Sequence, residues 1–168
     1  MTCVRCGGSM KTSRGTHRYT EAGLSNVTLL DVELRRCSRC GEQELVTPRV
    51  DDLHRAIART LSRQIAPLMP EAVRFLRKWL GLTSHQLARV MGVSRETVCR
   101  WERVEAPCRL TPPADRLLKL VAAQHARADP YPLDLLARMR RARAAPIVLV
   151  SPDWAVAAAA DRTRELGD

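Results

Sequence analysis

The stretch from Thr83 to Glu102, TSHQLARVMGVSRETVCRWE, narrows the possible folds more than any other part of the chain. It reads as two short helices joined by a tight turn. Thr83 is a good N-cap residue, and Gln86 three positions on completes a capping box. Gly92 stands where the first helix must end, at a position that needs a positive φ. Ser94 caps the second helix. Leu87, Val90 and Met91 give the first helix an apolar face at i, i+3, i+4, and Val98 with Trp101 gives one to the second. Ala88 is small where two helices would cross. A pair built this way is a helix-turn-helix, and its second helix is of the kind that lies in the DNA major groove. The outward residues of that helix are then Arg95, Glu96, Thr97, Cys99 and Arg100, with Arg103 just after it. A helical hairpin buried in an ordinary core would need neither cap in this order.

The charge fits a nucleic-acid partner. The formal net charge is +10 over 168 residues. Residues 67–127 hold eleven Lys/Arg against five Asp/Glu, whereas residues 128–168 hold six of each. The excess is therefore concentrated around the helix pair, as attraction to phosphates requires. The N-terminus has no apolar h-region, and the apolar runs Ile147–Val150 and Trp154–Ala160 are too short to span a bilayer. The expectation is a soluble, cytoplasmic protein with no membrane partner. Thiols stay reduced in that compartment, so six cysteines point to metal rather than disulfides.

Four of the six form two CxxC pairs, Cys3/Cys6 and Cys37/Cys40, separated by thirty residues. A glycine follows each pair, Gly7 and Gly41. Two such knuckles supply four thiolates, the tetrahedral set that zinc favours. A closed four-sulfur site leaves no position for an activated water, so the metal is expected to be structural zinc. An iron–sulfur cluster accepts the same ligands and stays open as an alternative. A thioredoxin-like motif would need one CxxC beside a βαβ unit, and none is visible. His17 reads as a strand surface residue. Between the knuckles, Val27–Arg35 alternates, with Leu30, Val32 and Leu34 on one face, so a β-hairpin accounts for the spacer. A fifty-residue unit buries little core, and a structural zinc site contributes on the order of 10–16 kcal/mol.

The fold class is therefore α+β: a small zinc-bound β-hairpin domain over 1–50, then an all-α helix-turn-helix bundle over 69–127. Residues 51–68 form a helical linker, with Leu53, Ile57, Leu61 and Ile65 every four positions. That helix either connects two semi-independent domains or packs on one of them. Glu71–Leu80 precedes the helix pair, with Val73, Leu76 and Leu80 inward and Arg74, Arg77 and Lys78 outward. Pro112-Pro113 opens a last bundle helix, whose Leu117, Leu118, Leu120 and Val121 close the core. Residues 128–168 form an extension suited to dimer contacts. Within it Leu133, Leu136 and Met139 predict a helix, Ile147–Val150 a short strand and Trp154–Leu166 a final Ala-rich helix. Cys99 and Cys108 have no partner at ligand spacing, and a redox role for either stays open.

The two halves together resemble the MqsA-type antitoxins, over roughly residues 1–125. The resemblance rests on Cys3, Cys6, Cys37 and Cys40, and on Gln86-Leu87-Ala88, Gly92-Val93-Ser94, Thr97-Val98 and Trp101-Glu102. It implies a DNA-binding transcriptional repressor, the antitoxin of a type II toxin–antitoxin system. The N-terminal zinc domain would neutralise an mRNA-cleaving toxin, a ribonuclease. The helix-turn-helix would dimerise and repress a promoter, usually its own operon's, at a palindromic double-stranded DNA operator. By that likeness Arg100 falls on a base-reading position, and Glu96 stands where the family's other reader is Asn. An acidic side chain accepts from cytosine N4, so the operator should differ. Val104 stands where relatives often carry a helix-ending glycine. Ser84, Gln86, Ser94, Arg95, Thr97 and Arg103 complete the expected DNA-contacting set. The alternative is a stand-alone zinc-containing regulator without a toxin. An enzyme is not expected, since no HExxH, phosphate loop, GxSxG or His near a ligand set occurs.

Overall fold

The computed structural model describes residues 1–106, 108–126 and 144–157. The hairpin forms as the alternation predicts: β1 (Met10–Arg18) pairs antiparallel with β2 (Val27–Cys37). Strand β3 (Gln43–Val46) pairs antiparallel with the C-terminal half of β2. On the same edge, β4 (Ile147–Val150) runs parallel to the N-terminal half, and β5 (Ala155–Val156) closes against β4. The strand order is β1-β2-β4-β5, with β3 beside β2.

The register corrects one expectation about β2. Gly15 faces Val32 and His17 faces Leu29, which leaves Thr16 opposite both Leu30 and Asp31. This is a β-bulge, and Asp31 takes a φ of 53° there. The extra residue resets the alternation. Val27 and Leu29 are buried before it and Val32 after it, while Leu30 is only half-buried. Leu29 therefore takes the core place expected for Leu30.

Helix α1 spans Val50–Arg63, with Asp51 and Asp52 at its positive end. Leu53, Ile57 and Leu61 are buried as the four-residue spacing requires. Ile65 is not, because the helix stops at Arg63 and Gln64 is extended. The helix packs on both parts rather than on one of them: α1 lies against α5 (Pro112–His125) and against β4 and β5. One cluster of buried side chains runs from Tyr19 and Val27 through Leu53 and Ile57 to Leu76, Leu87, Trp101 and Leu118. It continues to Ile147, Leu149 and Trp154. The core therefore does not break at residue 50 or 68.

Two polar clusters inside the bundle were not legible. Helix α2 (Pro70–Trp79) buries Val73 and Leu76, but Arg74 and Arg77 do not both turn to solvent. Arg74 donates to the Glu102 carbonyl. Arg77 grips the Glu102 carboxylate through Nε at 2.5 Å and Nη2 at 3.0 Å, and donates to the Leu82 carbonyl at 2.9 Å. In α5 the inward face is Asp115, Leu118, Lys119 and Ala122, and Leu117 is exposed. Lys119 is fully buried, 3.0 Å from Asp115 Oδ2, and donates to the carbonyls of Gln64 and Ala66. Asp115 accepts from the Leu68 backbone N–H at 2.7 Å. The α1–α2 connection is thus tied to α5 through the buried Lys119–Asp115 pair.

The tail is partly as expected. Ile147–Val150 is a strand, but Trp154 has a φ of 54° and leads into β5, so no helix starts there. Its indole instead donates to the Pro48 carbonyl, just ahead of α1. The expected helix around Leu133–Met139, the basic run 138–143 and the stretch 158–166 lie outside the described residues. Among the described residues, no helix is long and apolar enough to cross a membrane.

Candidate metal centre and nucleic-acid interface

The two CxxC knuckles are built alike. Gly7 N–H donates to the Cys3 carbonyl at 2.9 Å, and Gly41 N–H to the Cys37 carbonyl at 3.1 Å. Cys3 N–H reaches the Gly8 carbonyl and Cys37 N–H the Glu42 carbonyl, both at 2.8 Å. The matching hydrogen bonds force the same reversal twice, and both glycines take it at φ near 70° (69° and 75°). The second knuckle sits at the end of β2, and β1 begins opposite it, with Met10 facing Cys37. The hairpin therefore folds thirty intervening residues back so that the knuckles meet.

All four Sγ atoms lie within 4.8 Å of one another. Cys3 and Cys40 are 3.7 Å apart, and Cys6 and Cys37 3.5 Å. A tetrahedral metal with sulfur bonds of about 2.3 Å places its ligands about 3.8 Å apart, whereas a disulfide needs about 2 Å. The separations fit four ligands around one ion and exclude sulfur–sulfur bonds. Backbone N–H groups of Cys40 and Arg39 hold Cys37 down to about 6. For Cys6 the Gly8 N–H pulls the same way, but the Cys40 and Cys37 thiols and burial outweigh it and hold it up to about 12. A metal ion bound among the four sulfurs would supply the positive charge that lets Cys6 ionise.

Gly8 was not singled out by the sequence. A Cβ there would lie 3.0 Å from Arg39 Cβ, 3.2 Å from Cys37 Sγ and 3.3 Å from Cys6 Sγ. The signal available was its place directly after Cys-x-x-Cys-Gly. Arg5 and Glu42 pair at 3.0 Å across the two knuckles on the surface. His17 lies on β1 with Nε2 3.4 Å from Glu21, away from the sulfurs.

The helix pair forms with the expected local chemistry. Helix α3 (Ser84–Met91) carries the full capping box: Gln86 N–H donates to Thr83 Oγ1, and Thr83 N–H to Gln86 Oε1. Gly92 ends it at a φ of 65°. Helix α4 (Arg95–Trp101) starts at Ser94, whose Oγ accepts from Thr97 N–H at 3.2 Å. Leu87 and Ala88 of α3, which packs on α4, are buried, but Val90 is half exposed.

Val98 and Trp101 are buried under α4, and Arg95, Glu96, Cys99, Arg100 and Arg103 are exposed. Thr97 is half-buried and accepts from Arg100 Nη2 at 3.1 Å. Its own backbone N–H, the Ser94 hydroxyl, and then Arg95 and Arg100 hold the Glu96 carboxyl below its ordinary range. Ser84 is half-buried at the first position of α3, and Gln86 is exposed with its Oε1 committed to the cap. The C-terminal end of α4 is fixed from behind by the Arg77–Glu102 pair, so the sequence missed what aims the helix. Cys108 is exposed, with its Sγ 4.0 Å from the Arg109 carbonyl.

The family model that matches this chain is that of MqsA, the antitoxin component of a bacterial toxin–antitoxin system, over residues 1–128. No curated protein and no solved structure matches.

Proposed function

The chain belongs to the MqsA antitoxin family, and from that membership we propose a sequence-specific DNA-binding repressor that also neutralises a ribonuclease toxin. The family is regulatory and not enzymatic, and an antitoxin implies a toxin partner. One observation carries the DNA reading. Helix α4 buries Val98 and Trp101, is capped by Ser94 and braced by Glu102, and exposes Arg95, Glu96 and Arg100 along one flank. That is the form of a helix that enters the major groove. Arg100 would pair with guanine O6 and N7, and Glu96 would accept from cytosine N4. Arg95 and Arg103 would meet phosphates, with Ser84, Gln86, Ser94 and Thr97 along the groove edge. A homodimer would set two such helices about 34 Å apart on a palindromic operator. The four cysteines would hold structural zinc, which the sulfur spacing supports.

Gel-shift titration on DNA upstream of the chain's own gene tests this reading. Arg100→Ala should cost about 1–3 kcal/mol of specific binding. Unchanged affinity refutes the role of Arg100. Co-expression with the product of the neighbouring reading frame tests the toxin partner, and failure of any neighbour to copurify favours a stand-alone regulator.

A further inference from the structure

The family match ends at residue 128, yet the chain comes back to the N-terminal sheet after it. Strand β3 covers the β2 edge only over residues 33–36, which leaves residues 27–30 of that edge for another strand. Strand β4 fills it, with Val27 facing Ile147 and Leu30 facing Val150. Ile147 N–H donates to the Asn26 carbonyl at 2.8 Å, and Ser151 N–H to the Leu30 carbonyl at 3.1 Å. Ile147 and Leu149 are buried on the face of Val27 and Leu29.

The far end of the same ribbon takes hold of a different element. Trp154, 2% exposed, donates from Nε1 to the Pro48 carbonyl at 3.1 Å. Arg49, the residue that starts α1 at a φ of 48°, donates to the Pro152 carbonyl at 2.6 Å and pairs with Asp153 at 3.0 Å. A bulky residue holds a left-handed backbone only where its surroundings fix it. The ribbon supplies those surroundings.

We propose that residues 144–157 are a clasp that fastens the cysteine-bearing sheet to α1, so that the metal module and the helix-turn-helix body form one cooperative unit. Strand β2 runs from the clasp to Cys37, and α1 runs from the clasp to its packing against α5. A loss at either end is therefore carried to the other. The claim stands apart from the DNA and toxin assignments, because it concerns only how the two halves are joined.

Native-state hydrogen exchange on the zinc-loaded full chain tests it without any substitution. The amides of Ile147 and Ser151 should exchange only through global opening, at the rates of the slowest amides of α1 and α5. Fast exchange of the ribbon while α1 and α5 stay protected overturns the proposal. Heating provides the second readout: zinc release to a coloured chelator and loss of helical circular dichroism should coincide in the intact chain. In Trp154→Ala and Ile147→Asp, zinc release should move about 10 °C or more below helix loss. Coincident transitions in both variants, or separate ones in the intact chain, count against the clasp.

Discussion

Replacing Glu102 with Gln isolates the pair that aims α4. The carboxylate accepts twice from Arg77, and the two side chains are only 9% and 13% exposed. Two unit charges about 3 Å apart at an effective dielectric constant of about 20 attract by about 5 kcal/mol, before the cost of removing them from water. Breaking such a pair from one side leaves a guanidinium in a poorly hydrated place and costs about 3–5 kcal/mol when burial is complete. Gln keeps the shape and one acceptor, and Arg77 retains the Leu82 carbonyl, so about 3 kcal/mol is expected. With a urea slope of about 2 kcal/mol per molar, the unfolding midpoint should fall by about 1.5 M. Raising salt from about 0.05 to about 0.5 M should leave the difference in place, since buried pairs are weakly screened. The double variant Arg77→Met with Glu102→Leu should recover most of the loss. A midpoint for Glu102→Gln within about 0.3 M of the parent would refute the reasoning.

Three further outcomes follow from the same structure. Cys6 is held up to about 12 in the metal-free site, so metal binding at neutral pH must release its proton. Affinity should fall as pH drops from 8 to 6, and pH-independent binding in calorimetry would contradict this. Gly8→Ala drives a methyl between Arg39 and two of the sulfurs, so metal affinity should drop at least tenfold, roughly 1.4 kcal/mol. Competition with a chelator measures it, and unaltered affinity would show that the knuckles relax. Burial lowers the pKa of His54, which lies 3.1 Å from the Tyr19 hydroxyl and edge-on to Phe75. Its folded value is below the unfolded 6.5, so the unfolded chain binds more protons between the two. The contribution of His54 to stability is complete above the unfolded value, falls as pH drops through that window and is gone below the folded value. The difference in Tm between the parent and His54→Phe should therefore shift toward the variant as pH goes from 7.5 to 5, and a constant difference would count against it.

What the sequence carried was local. Caps, the Gly92 turn and the CxxC knuckles depend on a few neighbouring residues, and each formed where its pattern stands. The errors arose where distant residues decide. Arg77 looks like a surface cation within its own helix, and only the arrival of Glu102 turns it inward; in the same way the 64–68 connection supplies the partners that let Lys119 lie buried. The inward residue of β2 changed from Leu30 to Leu29 because one extra residue at Asp31 resets a two-residue period. Val90 has the right periodicity for the helix crossing, but it is half exposed while Ala88 is buried. Trp154 reads as the start of an alanine-rich helix until the Pro48 carbonyl gives its indole a partner.

Operator recognition through the exposed flank of α4 is tested most directly by methylation protection. The parent chain should shield guanine N7 in two major-groove segments about one helical turn apart, and Arg100→Ala should lose that shielding while keeping salt-dependent binding to any duplex. Guanines shielded equally by both proteins, or no major-groove shielding by either, would contradict it.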